Sequence, residues 1–297
     1  MDERGFLAER FEEHRGHLRA VAYRMLGSIS DADDAVQEAW LRMSRADTDG
    51  IHNLRGWLTR VVARVCLDML RARASRREDS LDAHVPDPII AAENGTDPEY
   101  EALLASSVGL ALLAVLETLT PAARLAFVLH DMFGVPFDEI ASIVGRSQDA
   151  VTQLASRARR RVRAAPVPDI DVARQRQAVD AFLAASRNGD FDALLAVLDP
   201  DVTLRADVGA EPAGASRVVF GAAAVARQAL TFASRGQFAQ PVVVNGAPGL
   251  LVVARGRPLA IIAFSIVRGK IVEINILADP ARLREAFGDK REARTAQ

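Results

Sequence analysis

The hydrophobic period of this chain changes once, at Pro166-Val167-Pro168, and that change demands two architectures in one polypeptide. Before it, apolar residues recur at three-, four- and seven-residue spacing, which is the signature of helices with one buried stripe. Leu7, Phe11, Leu18, Val21 and Met25 form a first stripe, and Val36, Ala39, Trp40 and Met43 a second. Leu58, Val62, Val65 and Met69 form a third, on a long helix beginning at Leu54. Beyond the break, two short helical stretches stop at Asn188-Gly189 and Asp199-Pro200. Apparent strands then follow at 202–206, 242–244, 250–254, 259–267 and 271–277, the last two joined by the hairpin-like Arg268-Gly269-Lys270. Helices followed by antiparallel strands predict an α+β domain behind an all-α front half.

Breaks within the front half set its subdivisions. Gly27 ends the first helix, and Ser30 or Asp31 can cap the second. Asp47-Thr48-Asp49-Gly50 is a turn-rich stretch. From Asp79 to about Pro98 the period lapses among Pro86, Pro88, Asn94-Gly95 and Asp97-Pro98, which reads as a linker. It resumes with Leu112, Val115, Leu116 and Leu119 and runs on past Thr120-Pro121, an N-cap followed by proline at the first helical position. The expected division is a helical bundle over 1–78, a linker over 79–105, a second helical domain over 106–165 and the α+β domain over 166–297.

The sharpest local pattern lies in residues 137–163. Phe137, Ile140, Ala141 and Val144 make a short helix, Gly145-Arg146-Ser147 a tight turn, and Ser147 caps a second helix that buries Val151, Leu154, Ala155 and Ala158. Two helices joined by a short glycine-containing turn are either the helix-turn-helix unit, whose second helix enters the major groove, or an ordinary amphipathic pair with a solvated, arginine-rich end. Gln148, Thr152, Gln153 and Ser156 point away from the apolar stripe as short polar groups able to reach base edges or phosphates. Arg157, Arg160, Arg161 and Arg163 follow as phosphate contacts. The whole-chain charge of −2 does not argue against this, because phosphate binding depends on local basic faces. Alone, the unit suits a repressor, an activator or a transcription initiation factor equally.

Two earlier helices narrow the choice. On the second, Asp34, Gln37, Glu38, Leu41 and Arg42 occupy the face opposite Val36 and Trp40. A leucine ringed by charges is either a stray surface residue or the apolar centre of a docking patch. On the long third helix Arg60, Arg64 and Arg71 share one face, bordered by Trp57 and extended by Arg73, Arg76 and Arg77. An arginine stripe beside an aromatic ring can track a phosphate backbone and support an unstacked base, although Trp57 fits a core position at least as well.

The runs DADDAVQEAWLRM (31–43) and LRGWLTRVVARVCLDMLRARASRRE (54–78) resemble region 2 of extracytoplasmic-function (ECF) sigma factors, and residues 116–163 resemble their region 4. The two stand in the family's order with a linker where region 3 is missing. The resemblance implies that Asp34, Gln37, Glu38 and Leu41 dock on the clamp helices of the polymerase β′ subunit, with the β subunit a further partner. It implies that Asn53, Arg55, Trp57, Arg60, Arg64 and Arg71 receive the minus-10 element. Arg146, Gln148, Thr152, Gln153, Ser156, Arg157 and Arg160 would read the minus-35 element of promoter DNA.

The segment from about Asp171 onward resembles the SnoaL-like branch of the NTF2-like fold, a curved sheet with helices forming a cone. The expected fold class is therefore multidomain: two all-α helical domains (a sigma region 2 bundle and a sigma region 4 helix-turn-helix) plus a C-terminal α+β SnoaL-like cone. A subgroup of ECF factors carries such a tail. Asp207-Val208-Gly209-Ala210 stands where many of them have Asp-Gly-Gly-Gly, and residues 278–283 stand where they have Asn-Pro-Asp-Lys-Leu, so roles at these positions do not carry over directly. An enzyme of this fold needs an acid/base pair. All five histidines precede the domain, leaving Asp201, Asp207, Glu211 and Glu273, so the expectation is a regulator that binds a ligand or docks on the sigma core in intramolecular contact, and no catalytic site. Cys66 is the only cysteine, which excludes an internal disulfide and a multi-cysteine metal site; neither metal nor cofactor is expected. With no long apolar run and no signal-like N-terminus, a cytoplasmic chain without membrane contact is expected.

Three readings follow. A sigma factor needs core polymerase, a helix-turn-helix regulator binds duplex DNA alone, and a SnoaL-type enzyme would merely carry a DNA-binding front end. The region-2 resemblance favours the first.

Overall fold

The computed structural model describes residues 3–46, 51–76, 85–91, 109–165, 168–169, 171–209, 216–231 and 238–287. They divide into two compact units. The first is all helical: α1 (Glu3–Leu26), α2 (Ile29–Met43), α3 (Leu54–Arg76), α4 (Leu110–Glu117, from Leu112 onward), α5 (Pro121–Phe127), α6 (Phe137–Val144) and α7 (Gln148–Ala164). Phe11, Leu18, Val21 and Met25 of α1 are buried against Val36, Ala39 and Met43 of α2 and Leu58, Val62 and Leu67 of α3. Cys66 lies fully inside this bundle, where burial pushes its thiol pKa up and leaves it unreactive.

Local details differ from the sequence expectation. Ser28 caps α2, its side chain accepting the Asp31 N–H at 3.3 Å. Gly27 turns left-handed at φ 71°, so the chain re-enters a helix at once and Ser30 and Asp31 already lie inside it. The stretch 47–50 falls outside the described residues. In α4 Leu113 and Leu116 are buried while Leu112 and Val115 are half-buried, a rotation of the stripe by about one position. Thr120 and Pro121 start α5 as expected, with the Thr120 hydroxyl accepting from Ala123 N–H. A single π-helical turn (Val128–Met132) then ends it.

The second unit is a seven-stranded sheet with helices. Its elements are β1 (Ile90–Ala91), α8 (Val172–Asn188), α9 (Phe191–Val197), β2 (Leu198–Asp207), β3 (Arg217–Phe220), α10 (Ala222–Thr231), β4 (Ala239–Val244), β5 (Ala247–Ala254), β6 (Arg257–Val267), β7 (Lys270–Leu277) and α11 (Pro280–Phe287). The strand order is β1-β4-β5-β6-β7-β2-β3. All pairs are antiparallel except β2 with β7, which run parallel because the chain leaves β2 and returns through the meander β4 to β7. The β6–β7 turn places Arg268 and Gly269 at φ 53° and 74°, and Asp169 accepts both backbone N–H groups at 2.8 Å. Those two donors hold the Asp169 carboxyl below its ordinary pKa.

Each strand sends alternate residues to opposite faces. Leu204, Ala206, Leu250, Val252 and Ile274 join α8, α9 and α10 in the larger core. Val244, Ile261, Ala263 and Leu277 form a second core on the other face with Leu283 of α11. The remaining residues of that second core are Val85, Ile90 and Leu110, which come from far earlier in the chain. The segment expected to be a plain linker thus supplies a strand and core residues to the C-terminal sheet.

Candidate nucleic-acid interface

In α6–α7 the residues expected at DNA are arranged as a reading helix requires. Gly145 takes φ 72°, ψ 40°, a left-handed cap that reverses the chain in one turn. Ser147 then caps α7 through the Ala150 N–H at 3.3 Å. Val151, Ala155 and Ala158 are fully buried, so the opposite face is presented outward. Arg146, Gln148, Thr152, Gln153, Ser156, Arg157 and Arg160 are all exposed on it. Arg159 sits off this face, paired with Asp131 at 2.6 Å near the Phe137 ring, and fixes α7 to the π turn. The π turn is itself held by His130 stacked on Phe137, ring centroids 3.7 Å apart.

On α2, Asp34 and Gln37 are exposed and Leu41 is 38% exposed, while Trp40 turns inward edge-on to Phe11 at 5.2 Å. Glu38 and Arg42 bridge each other at 2.9 Å beside Leu41. The four residues expected to dock on polymerase therefore share one solvent-facing strip.

The α3 stripe is less uniform. Asn53, Arg55, Arg60, Arg64 and Arg71 are exposed and Trp57 is half-buried. Arg73 departs from the stripe: it pairs with Asp31 and donates to the Leu26 carbonyl at 2.9 Å, tying α3 to the α1–α2 corner. Helical spacing sets Arg73 about half a turn around α3 from Arg64, and its long side chain reaches the Leu26 carbonyl from that side. Asn53 Oδ1 caps the start of α3 on Gly56 N–H at 2.9 Å, and Arg77 lies outside the described residues.

The minus-10 and minus-35 candidates lie in one compact unit, with α3 against α5 and α6. Arg60 reaches Glu139 of α6 at 3.4 Å. Arg124, 3% exposed, donates through Nε and Nη2 to the Arg24 carbonyl, and Arg24 in turn lies over the Phe133 ring at 4.7 Å. His17 sits among these groups, with Phe133 edge-on at 5.4 Å, Arg55 Nη2 at 3.0 Å from Nδ1 and Thr59 Oγ1 at 3.0 Å from Nε2. Because Arg55 can only donate, Nδ1 accepts, so the ring is neutral with its proton on Nε2. Burial, and then the nearby Arg55, His14 and Arg24 charges, lower its pKa to about 4.

A feature that sequence reasoning missed lies in the second unit. Residues 85–90 are buried and held at three points. Strand β1 adds to the edge of β4, with Ile90 opposite Val244 and Ala91 opposite Val243. Ile89 donates to Asn245 Oδ1 at 2.8 Å, and its carbonyl accepts Asn245 N–H at 2.7 Å. Arg282 of α11 forks between Asp87 (Nε, 2.7 Å) and Asp207 (Nη1, 2.6 Å) and also donates to the Val85 carbonyl. Asp207 accepts Val85 N–H at 3.2 Å. The signal available in the sequence was Val85-Pro86-Asp87-Pro88-Ile89-Ile90, an apolar run too rich in β-branched residues for a solvated linker.

Among the described residues the acid/base candidates of the tail do not meet in a cavity. Asp207 is committed to the linker, Glu273 pairs with Arg205, Asp201 is exposed, and Glu211 lies outside the described residues. Among the described residues no cluster of three or more His, Cys, Asp or Glu could hold a metal, and no helix is long and apolar enough to cross a membrane.

Family comparison agrees with this geometry. Residues 10–76 match the Sigma-70 region 2 model and 109–162 the Sigma-70 region 4 model. The ECF RNA polymerase sigma factor SigJ of Mycobacterium tuberculosis is 41% identical over 285 residues, covering 91% of each chain. The probable ECF RNA polymerase sigma factor SigI of the same species is 38% identical, covering 91% of this chain and 92% of its own. The crystal structure of M. tuberculosis SigJ superposes with a TM-score of 0.74 at 36% identity, covering 94% of this chain and 98% of that one. With both helical motifs in place and likeness extending through the C-terminal unit, this chain belongs to the ECF RNA polymerase sigma factors.

Proposed function

We propose that this sigma factor docks on the β′ clamp helices of core polymerase through Asp34, Gln37, Glu38 and Leu41, with the β subunit as a further contact. It reads the minus-35 element with Arg146 and α7 and captures the minus-10 element on α3. The observation that carries this reading is the partition of side chains in the first unit. Each helix buries its apolar stripe and leaves outward the residues assigned to polymerase or DNA. Bases caught beside Asn53, Arg55, Trp57 and Arg60 must leave the duplex stack. Binding therefore favours the opened strand and drives melting without a nucleotide-consuming step.

The compact first unit gives that mechanism a prior step. The two promoter elements are about 25 base pairs apart by their designations, roughly 85 Å along B-DNA. Arg60 of the minus-10 stripe is 3.4 Å from Glu139 of the helix-turn-helix. Both elements can be read at once only after α3 and α6 separate. Such a solvent-facing ion pair contributes only about 0–1 kcal/mol, so polymerase and promoter contacts can displace it. The C-terminal unit acts as the regulator by holding 85–91, which withdraws that stretch from the chain joining the two DNA-reading modules.

Run-off transcription with purified core polymerase and genomic fragments tests the assignment. Full-length chain should direct initiation from defined starts, Leu41→Asp should abolish it, and Arg282→Ala should change its yield. If no start is directed while the chain alone binds duplex DNA sequence-specifically, the polymerase-dependent reading fails. An Arg282→Ala yield equal to wild type would remove only the regulatory role of the tail.

A further inference from the structure

The second unit contains a cavity of about 210 Å³ between the sheet and helices α8 and α10. Its walls are mostly apolar, Phe182, Leu250, Val252, Ile262 and Ile274 among them, with Ser186 and Gln228 as polar side chains and no carboxylate among the described lining residues. It reaches the surface beside Leu259, 42% exposed, and Arg217, also exposed. Among the described residues the Arg217 side chain makes no hydrogen bond or ion pair, while its backbone pairs opposite Ala206. A cavity of about 150 Å³ accepts a benzene ring, so this one accepts a hydrocarbon group of roughly eight or nine carbons, the length of the decanoate chain. Among the described lining residues Arg217 is the one cation, and it matches a single acidic head.

Strand alternation connects this cavity to the held linker. On β2 and the residue after it, Ala206 and Val208 line the cavity, while Asp207 between them grips Val85 and Arg282 on the opposite face. At the end of β7, Ile276 and Ala278 line the cavity. Leu277 between them packs in the second core with Val85 and Ile90, and Asp279 caps α11 just before Arg282. The two strand ends pair in register, Ala206 with Ile276 and Asp207 with Leu277. A molecule that shifts either strand by a few tenths of an ångström moves both halves of the clasp together, because packed strands translate as units.

We propose that this cavity binds a small amphiphile, an aliphatic or fused-ring group of roughly eight or nine carbons bearing one carboxylate paired with Arg217, and that occupancy changes the grip on residues 85–91. This rests on the regulatory reading of the tail given above. Linkage requires the ligand to bind the gripping and releasing states unequally, and the shared strand ends supply that difference.

Titration calorimetry on the full-length chain with decanoate, decanol and acetate tests the site. Decanoate should bind with a Kd of about 100 µM or tighter, decanol about tenfold more weakly, and acetate not measurably. Arg217→Gln should bring decanoate to the decanol level. Ala229→Phe and, separately, Ala260→Leu should block both while the circular dichroism melt of at least one variant stays as wild type. Hydrogen exchange of the Val85 and Ile89 amides with and without decanoate reads the coupling, and a change of threefold or more is expected. Decanoate that fails to bind at millimolar concentration overturns the site. Binding that leaves both amides unchanged overturns the coupling. Failure of the regulatory reading is seen separately, as Arg282→Ala transcription indistinguishable from wild type whether or not decanoate binds.

Discussion

Arg282, its side chain 16% exposed, is a cation that bridges two buried acids. Asp87 is 5% exposed and Asp207 is 7% exposed, and both accept from its fork. Removing one partner of such a network costs about 3–5 kcal/mol, because the remaining charges stay desolvated. Arg282→Ala should therefore lower the Tm of the second unit and speed exchange at Val85. Arg282→Lys should recover only part of the loss, since an ammonium cannot span both acids as the planar fork does. His17 supplies a second residue-scale prediction. Its folded pKa is depressed from 6.5 to about 4, so between those values the unfolded chain takes up a proton that the folded one refuses. Stability of the first unit should be flat above about pH 6.5 and fall as pH drops toward 4. His17→Gln should flatten that part of a Tm-versus-pH series, whereas an unchanged slope would place the acid sensitivity elsewhere. Neither network was legible as a network. The sequence offers Arg282 as one charge 75 residues from Asp207 and 195 from Asp87, and no periodicity relates them.

At the scale of elements, α2 and α7 carry their stripes so regularly that the outward residues could be named in advance. Val36, Ala39 and Met43, and likewise Val151, Ala155 and Ala158, are all buried, leaving Leu41 and Gln148 to Arg160 outside. Leu41→Asp should weaken binding to core polymerase by at least about tenfold in a pull-down or interferometry titration. It should leave the Tm nearly unchanged, because the site is already at the surface. Arg157→Ala and Arg160→Ala should each reduce the slope of log affinity against log salt by about one for duplex minus-35 DNA. A slope equal to wild type would mean that these arginines do not contact phosphate. The elements that escaped reading are the short ones. Strand β1 is two residues long and is made by backbone pairing with β4, and β3 shows no clear alternation of exposure over its four residues. Pairing decides such strands, and pairing is a tertiary fact that a local window does not contain. Arg73 fails because counting arginines along α3 ignores the helical period: it lies about half a turn from Arg64 and reaches the Leu26 carbonyl.

For the whole molecule, promoter engagement is a competition between contacts inside the chain and contacts with polymerase and DNA. Glu139→Lys turns the 3.4 Å attraction to Arg60 into a repulsion, and should raise promoter affinity of the holoenzyme severalfold at low salt, with the gain fading as salt rises. Electrophoretic mobility shifts at two ionic strengths would measure it, and a variant bound no more tightly than wild type would show that α3 and α6 do not restrain each other. The resemblance to a sigma factor with a fused cone could be read from the motifs, yet the motifs did not say what the cone holds. The clasp formed by β1, Asn245 and Arg282 joins parts of a single polypeptide. Its grip therefore does not depend on how much protein the cell makes. A separate inhibitor loses occupancy on dilution and must be matched in copy number to its target. Here the ratio of clasped to released molecules is an internal equilibrium constant, the same at ten copies per cell as at thousands. Control must therefore come from something that changes that constant, rather than from the supply of a partner.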